Sequence, residues 1–322
     1  MMVINKFTGH FMTREKIFRL FSEVILLPVT IFLIIFHSIV IRLNEKKAYA
    51  FGRRIIVPLF RTRRKRIVEN MINFFGTETT RNVDQTSNIL LNHISDTIVE
   101  LIRSPSYAEG MLKTKVDVAG LEHLQTALRN GKGVLCIGNH IGNWWYTRAL
   151  FSELGFPIAN VSNRIPVRVI EYHLNAIRRR FHIRTTYVGE GGKKAAEEAF
   201  RHNEVFSIQF DISVPGRQPH SAWMTFGNAM MLVDTGPAML AIRNRVPIIL
   251  CTTYRTDEHR HRIILEPFTP NHPPSPTEQD AVALTQEWIN LLVNDIREYP
   301  DQWWQWATTE LRATKIISPE HR

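Results

Sequence analysis

The feature that most constrains the fold is an alternation that begins near residue 134. Short apolar runs with strand character, VLCIG at 134–138, PIANVS at 157–162, HIRTTYV at 182–188, VFSIQF at 205–210, VPIILCTTY at 246–254 and RIILEPF at 262–268, are separated by candidate helices at 143–154, 167–181, 193–202, 235–245 and 277–299. Strands that alternate with helices are joined by crossovers, so the pattern predicts an α/β domain whose central sheet is mostly parallel and flanked by helices. Upstream, 80–101 has the period of an amphipathic helix, and Arg103-Ser104-Pro105-Ser106 punctuates it. The segment NHPPSPTEQD at 271–280 reads as the loop before the last long helix. No internal repeat and no Gly-rich phosphate loop interrupts this texture, which removes the simplest nucleotide-binding folds.

A second run, VILLPVTIFLIIFHSIVI at 24–41, has no formal charge, though Pro28 and His37 weaken it. Its length reaches the roughly 18 residues at which a membrane-spanning helix becomes possible. It starts too late, and lacks the small-residue cleavage site, for a secretory signal. Residues 42–66 then carry ten Lys and Arg, against four before the run. That asymmetry keeps the C-terminal part in the cytoplasm, and the basic stretch attracts anionic lipid headgroups. The expected organisation is a membrane-associated N-terminal segment, 1–70, followed by a catalytic domain, 71–322. With 322 residues and 44% hydrophobic content, the chain can bury a substantial core. Its formal charge of +10 calls for a polyanionic partner. Nucleic acid is the weakest of these, because the charge sits beside an apolar helix and no nucleic-acid module accompanies it. Cys136 and Cys251 fall in strand-like runs and read as buried thiols of a reducing compartment.

The run at 134–138 leads through Asn139-His140-Ile141-Gly142-Asn143-Trp144 into a helix, which places His140 at the carboxyl end of a strand. Ligands of α/β sheets favour that edge. A histidine there has the pKa range of a general base. Gly142 permits close backbone approach, and the helix starting near Asn143 offers N–H groups to a negative charge.

His-Ile-Gly-Asn-Trp at 140–144 resembles the signature block of the bacterial lipid A late acyltransferases and the related phosphatidylinositol mannoside acyltransferases, within the glycerolipid acyltransferase superfamily. Further blocks follow in the family's order: Asn163-Arg164 with the helix bearing Arg178, Arg179 and Arg180; Phe210-Asp211; Phe226-Gly227-Asn228-Ala229; residues 235–241 with Val246-Pro247; and residues 299–304. The resemblance spans nearly the whole chain. It implies acyl transfer from a thioester of acyl carrier protein or coenzyme A to a hydroxyl or amine of a lipid A-type, phosphorylated or glycolipid acceptor, at the cytoplasmic face of the bacterial inner membrane. No metal or other cofactor is implied. By the same resemblance His140 is the base, and Arg164 and Arg179 hold phosphates. Asp211 is a candidate catalytic residue, N–H groups of 142–144 receive the oxyanion, and Phe226 and Gly227 shape the acyl groove. Trp303, Trp304 and Trp306 belong either to a membrane interface or to the core of the tail.

One position departs from the family pattern. Four residues after its histidine the family places Asp or Glu, and here the position is Trp145. The carboxylate orients the imidazole, so three expectations stand together: a replacement carboxylate, with Asp211 the best candidate; an acceptor such as an amine that needs less base assistance; or loss of acyl transfer, leaving a binding protein. An acyl or aminoacyl transferase acting on an aminolipid or a carrier-bound acceptor is the accompanying alternative.

Overall fold

The computed structural model describes residues 14–76, 82–212, 220–257 and 260–313, with side chains from residue 27 onward. Its helices are α1 (Arg14–Arg42), α2 (Glu45–Phe60), α3 (Arg64–Phe75), α4 (Val83–Arg103), α5 (Met111–Lys115), α6 (Leu121–Arg129), α7 (Trp144–Glu153), α8 (Arg168–Arg180), α9 (Gly192–Arg201), α10 (Gly236–Asn244) and α11 (Glu278–Glu298). Its strands are β1 (Val116–Ala119), β2 (Val134–Gly138), β3 (Ile158–Ser162), β4 (Arg184–Tyr187), β5 (Val205–Gln209), β6 (Ser221–Phe226), β7 (Ala229–Asp234), β8 (Ile248–Arg255), β9 (His261–Phe268) and β10 (Leu311–Ala313).

Seven strands form the central sheet in the order β1-β9-β8-β2-β5-β3-β4. Every neighbouring pair is parallel except β8 and β9. That exception follows from the connection between Arg255 and His261, too short for the dozen or more residues of a crossover but long enough for a hairpin. Strand β2 lies at the centre and all five of its residues are buried. Leu135 and Ile137 pack into one apolar layer, with residues of α9, α10 and α11, while Val134 and Cys136 pack into the other, with residues of α7. A strand covered on both faces is apolar throughout, which is why this run is continuous rather than alternating.

A smaller antiparallel sheet, β10-β7-β6, was not legible beforehand. Its hairpin turns through Gly227 at φ +61°, where the N–H of Asn228 donates to the Phe74 carbonyl at 2.9 Å. The helices before β1 are tied to this body. Arg53 on α2 grips Asp96 on α4 through two bonds of 2.8 and 2.7 Å, and Arg103 closes the end of α1 on the carbonyls of Val40 and Leu43. The Asn70 amide donates to the carbonyls of Trp306 and Thr309, so position 70 lies inside α3 and against the C-terminal tail.

On α1, Phe36 and Val40 are buried against Tyr49 and Val99, while Leu27, Val29, Ile31, Ile34, Ile35 and Ile41 are exposed. The apolar run at 24–41 begins at residues whose side chains lie outside those described. Among the described residues no helix is long and apolar enough to cross a membrane.

Candidate active site

His140 follows β2 after Asn139 and is held from several directions. Its ring Nδ1 lies 2.7 Å from Asp211 Oδ1, and its backbone N–H donates to Asp211 Oδ2 at 2.8 Å. Trp303 Nε1 donates to that same Oδ2 at 2.8 Å. The His140 carbonyl accepts from the Trp304 N–H at 2.9 Å, and the ring meets Trp144 edge-on at 4.5 Å. Asp211 is wholly buried. A carboxylate only accepts, so Nδ1 carries the proton in this pair, and Nε2 keeps the lone pair that a general base needs. Asp211 follows β5, the parallel neighbour of β2, and the two residues meet at the shared carboxyl edge of adjacent strands.

The turn between β2 and α7 is fixed by packing. Gly142 sits at φ +57°, and a Cβ there would stand 2.3 Å from the Thr253 carbonyl oxygen. Its N–H donates to the Gln302 carbonyl at 3.1 Å, so of the 142–144 amides this one is already engaged. Asn143 is buried and caps α7: its Oδ1 accepts from the Trp145 N–H at 3.2 Å, while its Nδ2 donates to Glu100 Oε2 at 2.8 Å. Glu100 also accepts from both terminal nitrogens of Arg255, from Tyr49 and from His261. Burial alone would raise its pKa, but Arg255 and His261 outweigh that and hold it well below the ordinary carboxylate value.

His140 opens onto a cavity of about 630 Å³, within the range of small-molecule sites. Phe206, Ile208 and Phe210 line it together with Pro237, Met239 and Leu240 of α10, giving an apolar wall. Elsewhere Asn160, Ser162, Asn163, Arg148, Gln209 and Lys193 give it polar surface. Trp145, where the family resemblance places an acid, also lines the cavity and stacks on the Arg148 guanidinium at 4.7 Å. The arrangement can remove a proton from a nucleophile at the mouth of an apolar groove.

Other residues singled out from the sequence lie elsewhere. Arg164 is exposed, pairs with Glu190 at 2.8 Å and stacks on Tyr187 at 3.8 Å, and it is not among the lining residues although its neighbours Asn163 and Ile165 are. Arg179 is exposed over Tyr172, also off the cavity. Arg178 bonds to Glu171 at 2.6 Å. Phe226 is fully buried between Phe74 and Trp303, and Gly227 turns the β6–β7 hairpin; both shape the core rather than the cavity wall. Trp303 and Trp306 are core residues. Arg148, Glu100 and the Trp303 contact to Asp211 were missed: each is defined by partners 43 or more residues away, apart from the Trp145 stack, and no linear motif reports them.

A family model for the bacterial lipid A biosynthesis acyltransferases matches residues 16–309. No curated protein gives a significant match.

Proposed function

The chain belongs to the bacterial lipid A biosynthesis acyltransferases, and from that membership we propose that it moves an acyl group from the thioester of acyl carrier protein or coenzyme A to a hydroxyl or amine of a lipid A-type or related lipid acceptor. The observation that carries the reading is the His140–Asp211 pair, with Nδ1 on the carboxylate at 2.7 Å beside the cavity. In this reading Nε2 takes the acceptor proton as the oxygen or nitrogen bonds to the thioester carbon. Main-chain N–H groups at the start of α7 receive the oxyanion. Collapse of the intermediate breaks the C–S bond, and the imidazolium returns its proton to the leaving thiolate. Asp211 orients the ring and stabilises its charged form, which Trp145 has no means to do. The apolar wall formed with α10 takes the acyl chain. We further propose that the exposed apolar side of α1 and the basic residues at 61–66 hold the protein to anionic lipid at the cytoplasmic face of the inner membrane.

Lipids and small metabolites of cells carrying His140→Ala, compared with wild type by mass spectrometry, test both parts when the cells are also fractionated. Loss of one acylated product is the expected result, and its chemistry tells lipid A from another acceptor; an unchanged profile overturns the reading. Protein that stays with membranes through a high-salt wash supports insertion of α1, whereas release by salt leaves only electrostatic attachment.

A further inference from the structure

We propose that Arg148 forms an oxyanion-binding subsite in the polar wall of the His140 cavity, so that a molecule bound there carries a carboxylate or phosphate. This goes deeper into the acyl-transfer reading and rests on it only for which molecule arrives.

Among the described residues three arginines are buried: Arg148, Arg178 and Arg255. Two have their own carboxylate, Glu171 for Arg178 and Glu100 for Arg255, each at 2.6 Å. Arg148 is 3% exposed, and no described carboxylate pairs with it. Its Nη1 donates to the neutral Gln209 Oε1 at 2.6 Å, and its Nε is buried without a partner. Burial, and then the charge of Arg178, lower its pKa to about 10, which leaves it cationic at neutral pH. A buried cation without a counter-charge is costly to keep, and this one is held in place: Trp145 stacks on it, and Gln209 fixes one edge. The rest of the cavity wall favours an anion as well. Lys193 and Arg243 line it, and Asp234, the one acid among the described lining residues, is exposed and caps the Gly236 N–H. A guanidinium presents its donors in a planar fork that fits a carboxylate or a phosphate.

The anion has two possible sources: an acid group on the chain-bearing ligand or acceptor, and the phosphate of the donor's pantetheine arm. Calorimetric titration of the full-length protein in detergent separates them with two matched pairs, laurate against lauramide and lauroyl-phosphopantetheine against lauroyl-pantetheine. We expect wild type to prefer the anion of at least one pair by about ten- to a hundredfold, the scale of a charge-assisted bond to a buried group. Preference in the first pair assigns a carboxylate ligand, and in the second a donor phosphate. Arg148→Gln should bring the ratio close to one without changing affinity for the neutral member, and Arg148→Lys should keep part of it. Equal affinities within both pairs for wild type overturn the subsite whether or not any variant folds, and so does a ratio unchanged by Arg148→Gln. His140→Ala keeps the preference if Arg148 is its source, so failure of the acyl-transfer reading is told apart from failure of this one; loss of the preference in His140→Ala overturns the assignment to Arg148.

Discussion

At the residue scale, Asp211 gathers three donors on two oxygens: the His140 ring, the His140 backbone and the Trp303 indole. These contacts fix which nitrogen of His140 is protonated and where the ring points. Asp211→Asn preserves shape but removes the charge that favours the Nδ1–H tautomer. By comparison with the same change in a Ser-His-Asp triad, kcat should fall by about ten-thousandfold while the melting temperature moves little. Trp303→Phe separates positioning from binding. It keeps an aromatic ring in the core but withdraws one hydrogen bond from the carboxylate, at a cost of about 1.5–3 kcal/mol for a bond to a charged group. Trp303 does not line the cavity, so kcat should drop about tenfold with KM unmoved; a change confined to KM would contradict the positioning role. Asp211 was legible as a candidate because it ends an apolar run, as His140 nearly does, and neighbouring parallel strands bring such ends together. Trp303 was legible only as an aromatic in the tail, since nothing linear joins it to a residue 92 positions away.

At the scale of elements, the turn from β2 into α7 sets the direction in which His140 faces. Its backbone runs through a positive φ at Gly142, against the Thr253 carbonyl on β8, and Asn143 then caps the helix. Gly142→Ala therefore meets both a disfavoured conformation and a 2.3 Å approach. It should destabilise the protein by about 1–3 kcal/mol or more. Because His140 is two residues away, activity per folded molecule should fall as well. Denaturant melts and active-site titration on the same preparation check this, and full specific activity in the folded fraction would show that the turn does not position His140. The elements that the sequence revealed are those with long or continuous apolar signals. β2 matches its predicted bounds, and α7 to α11 lie within a residue or so of theirs. β6 and β7 were not legible because apolar residues, Trp223, Met230 and Leu232, stand at exposed or half-buried positions as well as the buried ones, so no polar and apolar alternation marks them. β10 is three residues long and β1 four, too short for a period to register.

Across the whole molecule, Glu100 joins parts distant in sequence. From α4 it bonds to Tyr49 on α2, to Asn143 at the head of α7, to Arg255 on β8 and to His261 on β9. The helices before the sheet are thereby coupled to the turn that carries His140, and the coupling depends on pH. The Glu100 carboxyl titrates below its ordinary value of 4.5 in the folded protein, so the unfolded chain takes up the proton first. Its contribution to stability is complete above pH 4.5 and is lost as pH falls towards the folded pKa. Burial lowers the pKa of His261, and of His37, His93 and His173, below 6.5, which acts in the same direction from a higher starting point. Stability should therefore decline on acidification from about pH 6.5 and more steeply below about pH 4.5. Glu100→Gln takes from the buried Arg255 the carboxylate that lies 2.6 Å from it and should cost about 3–5 kcal/mol near neutrality. It also removes the carboxyl whose protonation drives the acid limb. Urea melts of both proteins between about pH 7 and pH 2 should show a large gap that holds down to about pH 4.5 and narrows below it. A gap that stays constant across that range would mean that Glu100 holds the helices to the sheet by packing and hydrogen bonding, and that its charge contributes nothing.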